Sequence, residues 1–305
     1  MLEIVLAILA AFSLAPQMTS ASGIERHMAV NSFPQAAAVS RPAPPIKRRV
    51  ESLGVETTGK AAFVADVATG SVLFSKNAHD ILPIASLTKL MTAIVVMDSG
   101  YDLDEPLTFM NEDFQNDGGK DVFVVGETIT RREALSALLV GSVNVAGNVL
   151  ARAGQTREEF VKAMNDMAVQ MNLASPVFVD PTGLNPENRA SAADVAALMS
   201  KALSYPEIRT IVALPQVVIE GQTGNSYRIN STNLLLNSFL NKEPYQVIGG
   251  KTGSLPEAGY CMAQLTRNAD SNEIVAVTLA SDNHFSRYQD VKALTAWAFD
   301  TYQWE

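Results

Sequence analysis

A chain of 305 residues with 47% apolar residues can bury a sizeable core in one or two domains. Its formal net charge is −9, and its only basic cluster is the short run Lys47, Arg48 and Arg49. A nucleic-acid-binding protein needs a broad basic face, so the charge argues against that class. The single cysteine, Cys261, permits no intramolecular disulfide and no cysteine-rich metal site. Because it lies in an apolar run, Cys261 is interpreted as a small buried strand residue, not as a catalytic thiol.

The first residues predict an exported protein. Ile4 to Ala15 form an apolar run that is too short to span a bilayer comfortably, and Thr19-Ser20-Ala21 suits cleavage by a signal peptidase. Glu3 precedes the run and no Lys or Arg does, which is atypical of a signal peptide. Residues 1–21 are therefore predicted to be a signal peptide or an N-terminal anchor. The expected location is the periplasm or cell envelope, with any membrane contact made through this segment alone.

A linker is predicted over residues 22–50, which are rich in Ala, Pro, Ser and basic residues and cannot build a core. The folded domain is predicted to occupy residues 51–305. It opens with two β-rich runs, 61–67 and 71–75, separated by a short turn that predicts a hairpin.

The middle of the chain is predicted to be mostly helical. Ser86 to Asp98 has the length and composition of a helix, and Gly100 follows as a stop signal. Three later helices are predicted to begin with a capping box, at Thr130 to Glu133, Thr156 to Glu159 and Ser191 to Asp194.

The final third changes to β periodicity. Strands are predicted over 216–220, 226–230, 246–252, 259–266 and 273–280, and a closing helix over 286–302. A strand pair, a helical insert and a run of antiparallel strands predict an α+β fold. One antiparallel sheet is expected to hold both ends of the domain, with the helices divided between its face and a side lobe.

Ser86-Leu87-Thr88-Lys89 is the first of three short motifs. Residues three apart on a helix lie on one face, with about 5–6 Å between Cβ atoms, so Lys89 can take the proton of the Ser86 hydroxyl. A lysine acts as such a base when burial or nearby positive charge lowers its pKa. The motif is common by chance, and by spacing alone an ordinary helix N-cap explains Ser86 equally well.

Ser142-Val143-Asn144 is the second motif, in a predicted turn between two helical runs. Here the Ser142 hydroxyl can relay a proton to a leaving amine, and the Asn144 amide can hold a substrate carbonyl. Ser and Asn also favour turns and caps for structural reasons alone.

Lys251-Thr252-Gly253 is the third motif, on a predicted strand. Alternation points Lys251 and Gly253 to one side and Thr252 to the other. The absent side chain of Gly253 would let a substrate backbone approach, so that a peptide docks as an added strand. The structural alternative is a surface lysine entering a hairpin.

The three motifs, in this order on a helix, a turn and a strand, are the set of penicillin-binding proteins and serine β-lactamases. The sequence resembles low-molecular-weight penicillin-binding proteins of the D-alanyl-D-alanine carboxypeptidase type, over nearly all of 51–302. Segments typical of that family are 84–93, 178–184, 230–235 and 251–259. The resemblance implies the β-lactamase/transpeptidase-like fold, an antiparallel sheet flanked by helices with the site between the sheet and a helical lobe.

The resemblance also implies the catalytic roles. Ser86 would attack the carbonyl between two D-alanines of a peptidoglycan stem peptide, with Lys89 as general base. Ser142 would help to pass the proton to the leaving amine, and Asn144 would position the substrate. Water would release the acyl group, and no metal or cofactor would be needed. β-Lactam antibiotics would acylate Ser86 as covalent inhibitors.

The remaining substrate-binding residues follow the third motif. By the same resemblance, Lys251 and Thr252 would bind a substrate carboxylate, with Gly253 beside them. The backbone N–H groups of Ser86 and Ser254 would form the oxyanion hole, a geometry that lowers the barrier by several kcal/mol.

Three alternatives to a carboxypeptidase share parts of this pattern. A D,D-endopeptidase that cleaves peptidoglycan cross-links has the same motifs, and a chain that ends straight after the closing helix is typical of the soluble endopeptidases. A class A β-lactamase uses a further Glu in a Glu-x-x-x-Asn segment, and between Asn144 and Lys251 the sequence has none. An inactive wall-binding protein is the third, because Val143 and Val145 flank Asn144 where polar residues are usual.

Overall fold

The computed structural model describes residues 42–115 and 122–305, so the predicted leader and most of the predicted linker lie outside the described residues. The strands are β1 Ile46–Lys47, β2 Ala61–Asp66, β3 Val72–Lys76, β4 Leu82–Pro83, β5 Pro106–Thr108, β6 Thr128–Thr130, β7 Arg189–Ala190, β8 Gln216–Glu220, β9 Ser226–Asn230, β10 Tyr245–Leu255, β11 Gly259–Asn268, β12 Glu273–Ser281 and β13 Tyr302–Gln303. The α-helices are α1 Lys89–Asp98, α2 Arg131–Val140, α3 Asn144–Arg152, α4 Arg157–Gln170, α5 Ala192–Ala202, α6 Pro206–Val212 and α7 Ser286–Thr301.

A five-stranded antiparallel sheet in the order β10-β11-β12-β2-β3 forms the centre of the fold. Two of its strands come from the start of the domain and three from its end, so the prediction that one sheet holds both ends is confirmed. Alternate residues face opposite sides: Ala61 and Phe63 lie in the larger core cluster, whereas Ala62 and Val64 lie in the smaller one. Burial on both faces explains why these strands read as continuous apolar runs.

Helices cover both faces of the sheet. α7 packs on one face and contributes Val291 and Leu294 to the smaller cluster, while α5 packs on the other. Beyond α5, the helices α1 to α4 and α6 form a lobe together with the hairpins β5–β6 and β8–β9. The predicted α+β fold is confirmed. The pair β1–β13 brings residues 46–47, at the end of the predicted linker, into the folded domain.

The helices begin where the sequence predicts when a local capping signal determines the first residue. All three predicted capping boxes are formed; the N–H of Glu133, for example, donates to Thr130 Oγ1 at 3.2 Å, and Thr130 N–H donates to Glu133 at 2.7 Å. The helix predicted from Ser86 differs, because Ala85–Thr88 form a 3₁₀ turn and α1 begins at Lys89. Within the described ranges, no helix combines the length and apolar character needed to cross a membrane.

Candidate active site

The three sequence motifs meet at one cleft of about 520 Å³ between the helical lobe and the sheet edge. The 3₁₀ turn brings Ser86, the connection between α2 and α3 brings Ser142 and Asn144, and β10 brings Thr252 with the two residues that follow it. Because β10 is an edge strand, its backbone borders the cleft directly. Residues separated by more than 160 positions in the sequence therefore face one another.

Lys89 links the first two motifs. Its Nζ donates to Ser86 Oγ at 2.8 Å, to Asn144 Oδ1 at 2.7 Å and to the Thr182 carbonyl at 2.6 Å, and its side chain is fully buried. The N-cap of α1 is Thr88, which makes no side-chain cap hydrogen bond. The alternative that Ser86 is an ordinary helix cap is therefore wrong, since its hydroxyl pairs with the buried ammonium instead.

A tight loop holds the Thr182 carbonyl in place. The Asp180 carboxylate accepts hydrogen bonds from the N–H groups of Thr182, Gly183 and Asn185 at 2.6, 2.7 and 2.9 Å, and from the Asn188 side chain at 2.6 Å. Burial raises the pKa of this carboxyl, but the hydrogen bonds outweigh burial and the pKa lies below its ordinary value. The sequence analysis recognised this segment as typical of the family but gave it no role.

Two glycines let neighbouring segments pack closely against both sides of the turn that carries Ser86. A Cβ on Gly183, at φ +83°, would lie 1.9 Å from the Ala85 carbonyl oxygen, and a Cβ on Gly253 would lie 2.8 Å from the Ile84 carbonyl oxygen. The space beside Gly253 is thus filled by the turn itself, whereas the sequence analysis assigned it to a substrate backbone. The contact brings the N–H of Ser86 close to β10, next to Ser254.

Ser142 joins the second motif to the third. Its backbone lies in the left-handed region, at φ +60°, and its Oγ accepts a hydrogen bond from the fully buried Lys251 Nζ at 2.8 Å. Val143 and Val145 are 3% and 0% exposed and belong to the core of the lobe. These valines therefore point away from the cleft that Ser142 and Asn144 line.

The wall of the cleft next to α7 carries no motif that the sequence alone reveals. Arg287, which is 4% exposed, donates from Nη1 to the Gly253 carbonyl at 3.1 Å. The Tyr288 hydroxyl donates to the Thr232 carbonyl at 2.8 Å, and Thr252 Oγ1 donates to Thr232 Oγ1 at 2.8 Å. Thr232, Arg287 and Tyr288 lie outside the motifs, and their contacts reach across many positions of the sequence. Arg287 thus places a cation in the lining of the cleft, whereas Lys89 and Lys251 lie buried behind Ser86 and Ser142.

Cys261 does not belong to the site. It is fully buried on β11, and burial raises the pKa of its thiol to about 11. Its interpretation as a structural strand residue is confirmed. Among residues 42–115 and 122–305, no group of three or more His, Cys, Asp or Glu side chains is arranged to hold a metal ion.

Residues 47–283 match the D-alanyl-D-alanine carboxypeptidase family. The chain belongs to this family. The match spans all three motifs and the Asp180 loop, and it agrees with the resemblance seen in the sequence. The family is that of the D-alanyl-D-alanine carboxypeptidases, whereas the three motifs alone do not specify which peptide is cleaved.

Individual relatives agree with the family assignment. A D-alanyl-D-alanine endopeptidase of Pseudomonas aeruginosa is 32% identical over 268 residues, which are 87% of this chain and 84% of that protein. The crystal structure of the Streptomyces K15 DD-transpeptidase superimposes with a TM-score of 0.75 at 26% identity, covering 82% of this chain and 100% of the other. Penicillin-binding protein D2 from Listeria monocytogenes, in its cefotaxime-bound form, gives 0.69 at 28% identity, covering 81% and 100%.

Proposed function

We propose that the protein is a serine D-Ala-D-Ala carboxypeptidase that acts on peptidoglycan stem peptides through an acyl-enzyme on Ser86. The contact of 2.8 Å between Lys89 Nζ and Ser86 Oγ, inside a cleft shared with the other two motifs, carries this proposal. Family membership supports the substrate class.

The first step is attack of Ser86 Oγ on the carbonyl carbon between the two D-alanines. Loss of one proton from the Lys89 ammonium leaves an amine whose lone pair takes the Ser86 hydroxyl proton. Its two remaining N–H groups donate to Asn144 Oδ1 and the Thr182 carbonyl, which keep Nζ on the side of the attacking oxygen. The N–H groups of Ser86 and Ser254 face the developing oxyanion. Such preorganised donors stabilise the tetrahedral intermediate without reorganising at the moment of reaction.

The second step breaks the C–N bond and releases the terminal D-alanine. Ser142 lies at the other side of the cleft, where its hydroxyl donates a proton to the leaving amine and is resupplied from Lys251 at 2.8 Å. Thr252 and the positive charge of Lys251 and Arg287 favour the substrate's terminal carboxylate on this side. Water then attacks the acyl carbon and the bond to Ser86 Oγ breaks. Lys89 returns its proton to Ser86, and the proton that water loses replaces the one that Lys251 gave up.

A D,D-endopeptidase that cleaves cross-links is the second candidate, and the name of the Pseudomonas aeruginosa relative favours it. Both activities use the same acyl donor and differ in the leaving amine. The test is to incubate the protein with a monomeric pentapeptide and with a cross-linked dimer. We expect free D-alanine from the first and, if the second candidate holds as well, monomers from the dimer. Ser86→Ala should abolish both; no product from either substrate would contradict the proposal.

The cell envelope is the location that this function requires, because peptidoglycan lies outside the cytoplasmic membrane. The predicted leader over residues 1–21 supports export. β-Lactams should acylate Ser86, as the cefotaxime-bound structure of the Listeria monocytogenes relative suggests by analogy.

A further inference from the structure

We propose that His284 is a positioning residue for Arg287: its neutral imidazole accepts a hydrogen bond from the guanidinium and keeps it against β10. The inference rests on the proposed function, since both residues line the proposed active-site cleft. His284 lies just before α7 and is exposed at the cleft wall, where it can exchange a proton with solvent.

The contact determines which imidazole nitrogen carries the proton. Arg287 Nη2 lies 3.1 Å from His284 Nδ1. A guanidinium has only donors, so Nδ1 must be the unprotonated acceptor and the single ring proton must lie on Nε2. A protonated imidazole would present a second N–H, with positive charge, to a group that is itself a cation.

Arg287 connects His284 to the backbone of β10 that borders the cleft. Its Nη1 donates to the Gly253 carbonyl at 3.1 Å, and Nη2 also donates to the Tyr288 hydroxyl at 3.0 Å. The Gly253 carbonyl belongs to the same peptide unit as the N–H of Ser254, the proposed oxyanion donor. The orientation of the guanidinium therefore sets where the positive charge lies in the cleft wall. It also helps to orient the Gly253–Ser254 peptide plane that faces the substrate.

Aromatic rings hold the imidazole in this orientation. His284 packs edge to face with Tyr260 on β11 and with Tyr288 on α7, at centroid distances of 6.1 and 5.5 Å. The Arg287 guanidinium lies over the same two tyrosine rings, at 5.6 and 4.8 Å. These two tyrosines and Arg287 are the titratable or charged groups against His284. Within the described residues, no carboxylate makes an ion pair with it.

The arrangement makes substrate binding sensitive to pH on the acid side. Partial burial, and then the positive charge of Arg287, lower the pKa of His284 below its ordinary value of 6.5. At neutral pH the imidazole is therefore the acceptor that the contact needs. As the pH falls through the lowered pKa, protonation breaks the contact and releases the guanidinium.

Steady-state kinetics on a D-Ala-D-Ala peptide at pH 7 and pH 5 test the inference. For the wild type we expect KM to rise about threefold to tenfold at the lower pH, beyond any change in kcat, because the loss of one hydrogen bond of ordinary net strength frees the guanidinium. His284→Phe keeps the ring packing but has no acceptor, so its KM should already be raised at pH 7 and should not rise further through this group. His79→Phe, at an exposed histidine outside the cleft, is the matched control and should behave as the wild type. A His284→Phe variant with wild-type KM at both pH values would overturn the inference.

A second measurement does not depend on activity. Nitrogen NMR of the wild-type histidines, with the His284 signals assigned by their loss in His284→Phe, reports the protonation of each ring nitrogen. We expect an unprotonated Nδ1 at pH 7, and a proton on Nδ1 would overturn the inference. If the wild type cleaves no peptide while Nδ1 is unprotonated, the proposed function fails and the His284–Arg287 contact stands.

Discussion

At the scale of single residues, Lys89 joins the first motif to the second. Its side chain is fully buried, and two oxygen atoms from distant parts of the chain, Asn144 Oδ1 and the Thr182 carbonyl, hold its Nζ beside Ser86. Burying a cation is unfavourable unless such acceptors compensate. The site therefore holds the proposed base in place before substrate arrives, which is where much of the advantage of an enzyme over solution chemistry originates.

Replacing Lys89 by arginine distinguishes the role of its positive charge from its role in proton transfer. Arginine keeps the positive charge but stays protonated, so we expect Lys89→Arg to lower the rate of acylation by penicillin about 10²- to 10⁴-fold. Lys162→Arg is the control, because Lys162 is 73% exposed and pairs on the surface with Asp166. The rates are measured with a fluorescent penicillin. Acylation by Lys89→Arg within threefold of the wild-type rate would show that Lys89 is not the base.

At the scale of elements, the turn over 85–88 is shaped by its neighbours rather than by its own sequence. Ala85 and Ser142 both adopt left-handed φ, at +46° and +60°, a conformation that costs a non-glycine residue about 1 kcal/mol or more. Contacts with the loop at Gly183 and with β10 hold the turn in this conformation. The proposed nucleophile thus depends on two elements that are remote from it in sequence.

Gly183 offers a test with an internal control. Gly183 and Gly224 have similar φ, +83° and +88°, but a Cβ on Gly224 would meet no atom within 4 Å. Gly224→Ala should lower the free energy of unfolding by about 1–2 kcal/mol through backbone strain alone. Gly183→Ala adds a collision with the Ala85 carbonyl and should destabilise the protein further and slow acylation of Ser86. Urea unfolding and penicillin labelling measure the two effects, and equal results for both variants would contradict this account.

The sequence predicts the elements whose signals are local. Capping boxes such as Thr130 to Glu133 lie within four residues, and strand alternation is visible in any short window. The three motifs are also short, and their order along the chain, rather than any one of them, indicates the roles of Ser86 and Lys251. The α7 wall was missed because the Arg287 contact with Gly253 spans 34 positions and the Tyr288 contact with Thr232 spans 56. The 3₁₀ turn was missed because its cause is tertiary packing.

At the scale of the whole molecule, the cleft lies between the lobe and the sheet edge, and contacts within the lobe keep its own parts together. Within the lobe, Glu127 joins the hairpins β5–β6 and β8–β9. Its fully buried carboxylate accepts from the Thr223 N–H at 3.0 Å, from Asn225 at 3.1 Å and from the Tyr227 hydroxyl at 2.8 Å. One carboxylate thus links the two hairpins.

Glu127 should make the stability of the protein depend on pH in the acid range. Burial raises its pKa, but the hydrogen bonds from Thr223, Tyr227 and Asn225 outweigh burial and lower the pKa from 4.5 to about 2. The stabilisation is therefore complete above about pH 4.5 and is lost as the pH falls toward 2. Glu127→Gln should be less stable than the wild type at pH 7, and the difference should shrink toward pH 2. Glu158→Gln, at an exposed position, is the control; a Glu127→Gln difference that is constant with pH would contradict this.

The central claim is that Ser86 becomes acylated, and intact mass spectrometry after incubation with benzylpenicillin tests it most directly. We expect one equivalent of covalent adduct, located by peptide mapping on the fragment that contains Ser86. Ser86→Ala should carry no adduct. Ser142→Ala is the control and should still carry the adduct, because it leaves Ser86 in place. An unlabelled wild type, or an adduct that persists in Ser86→Ala, would contradict the account.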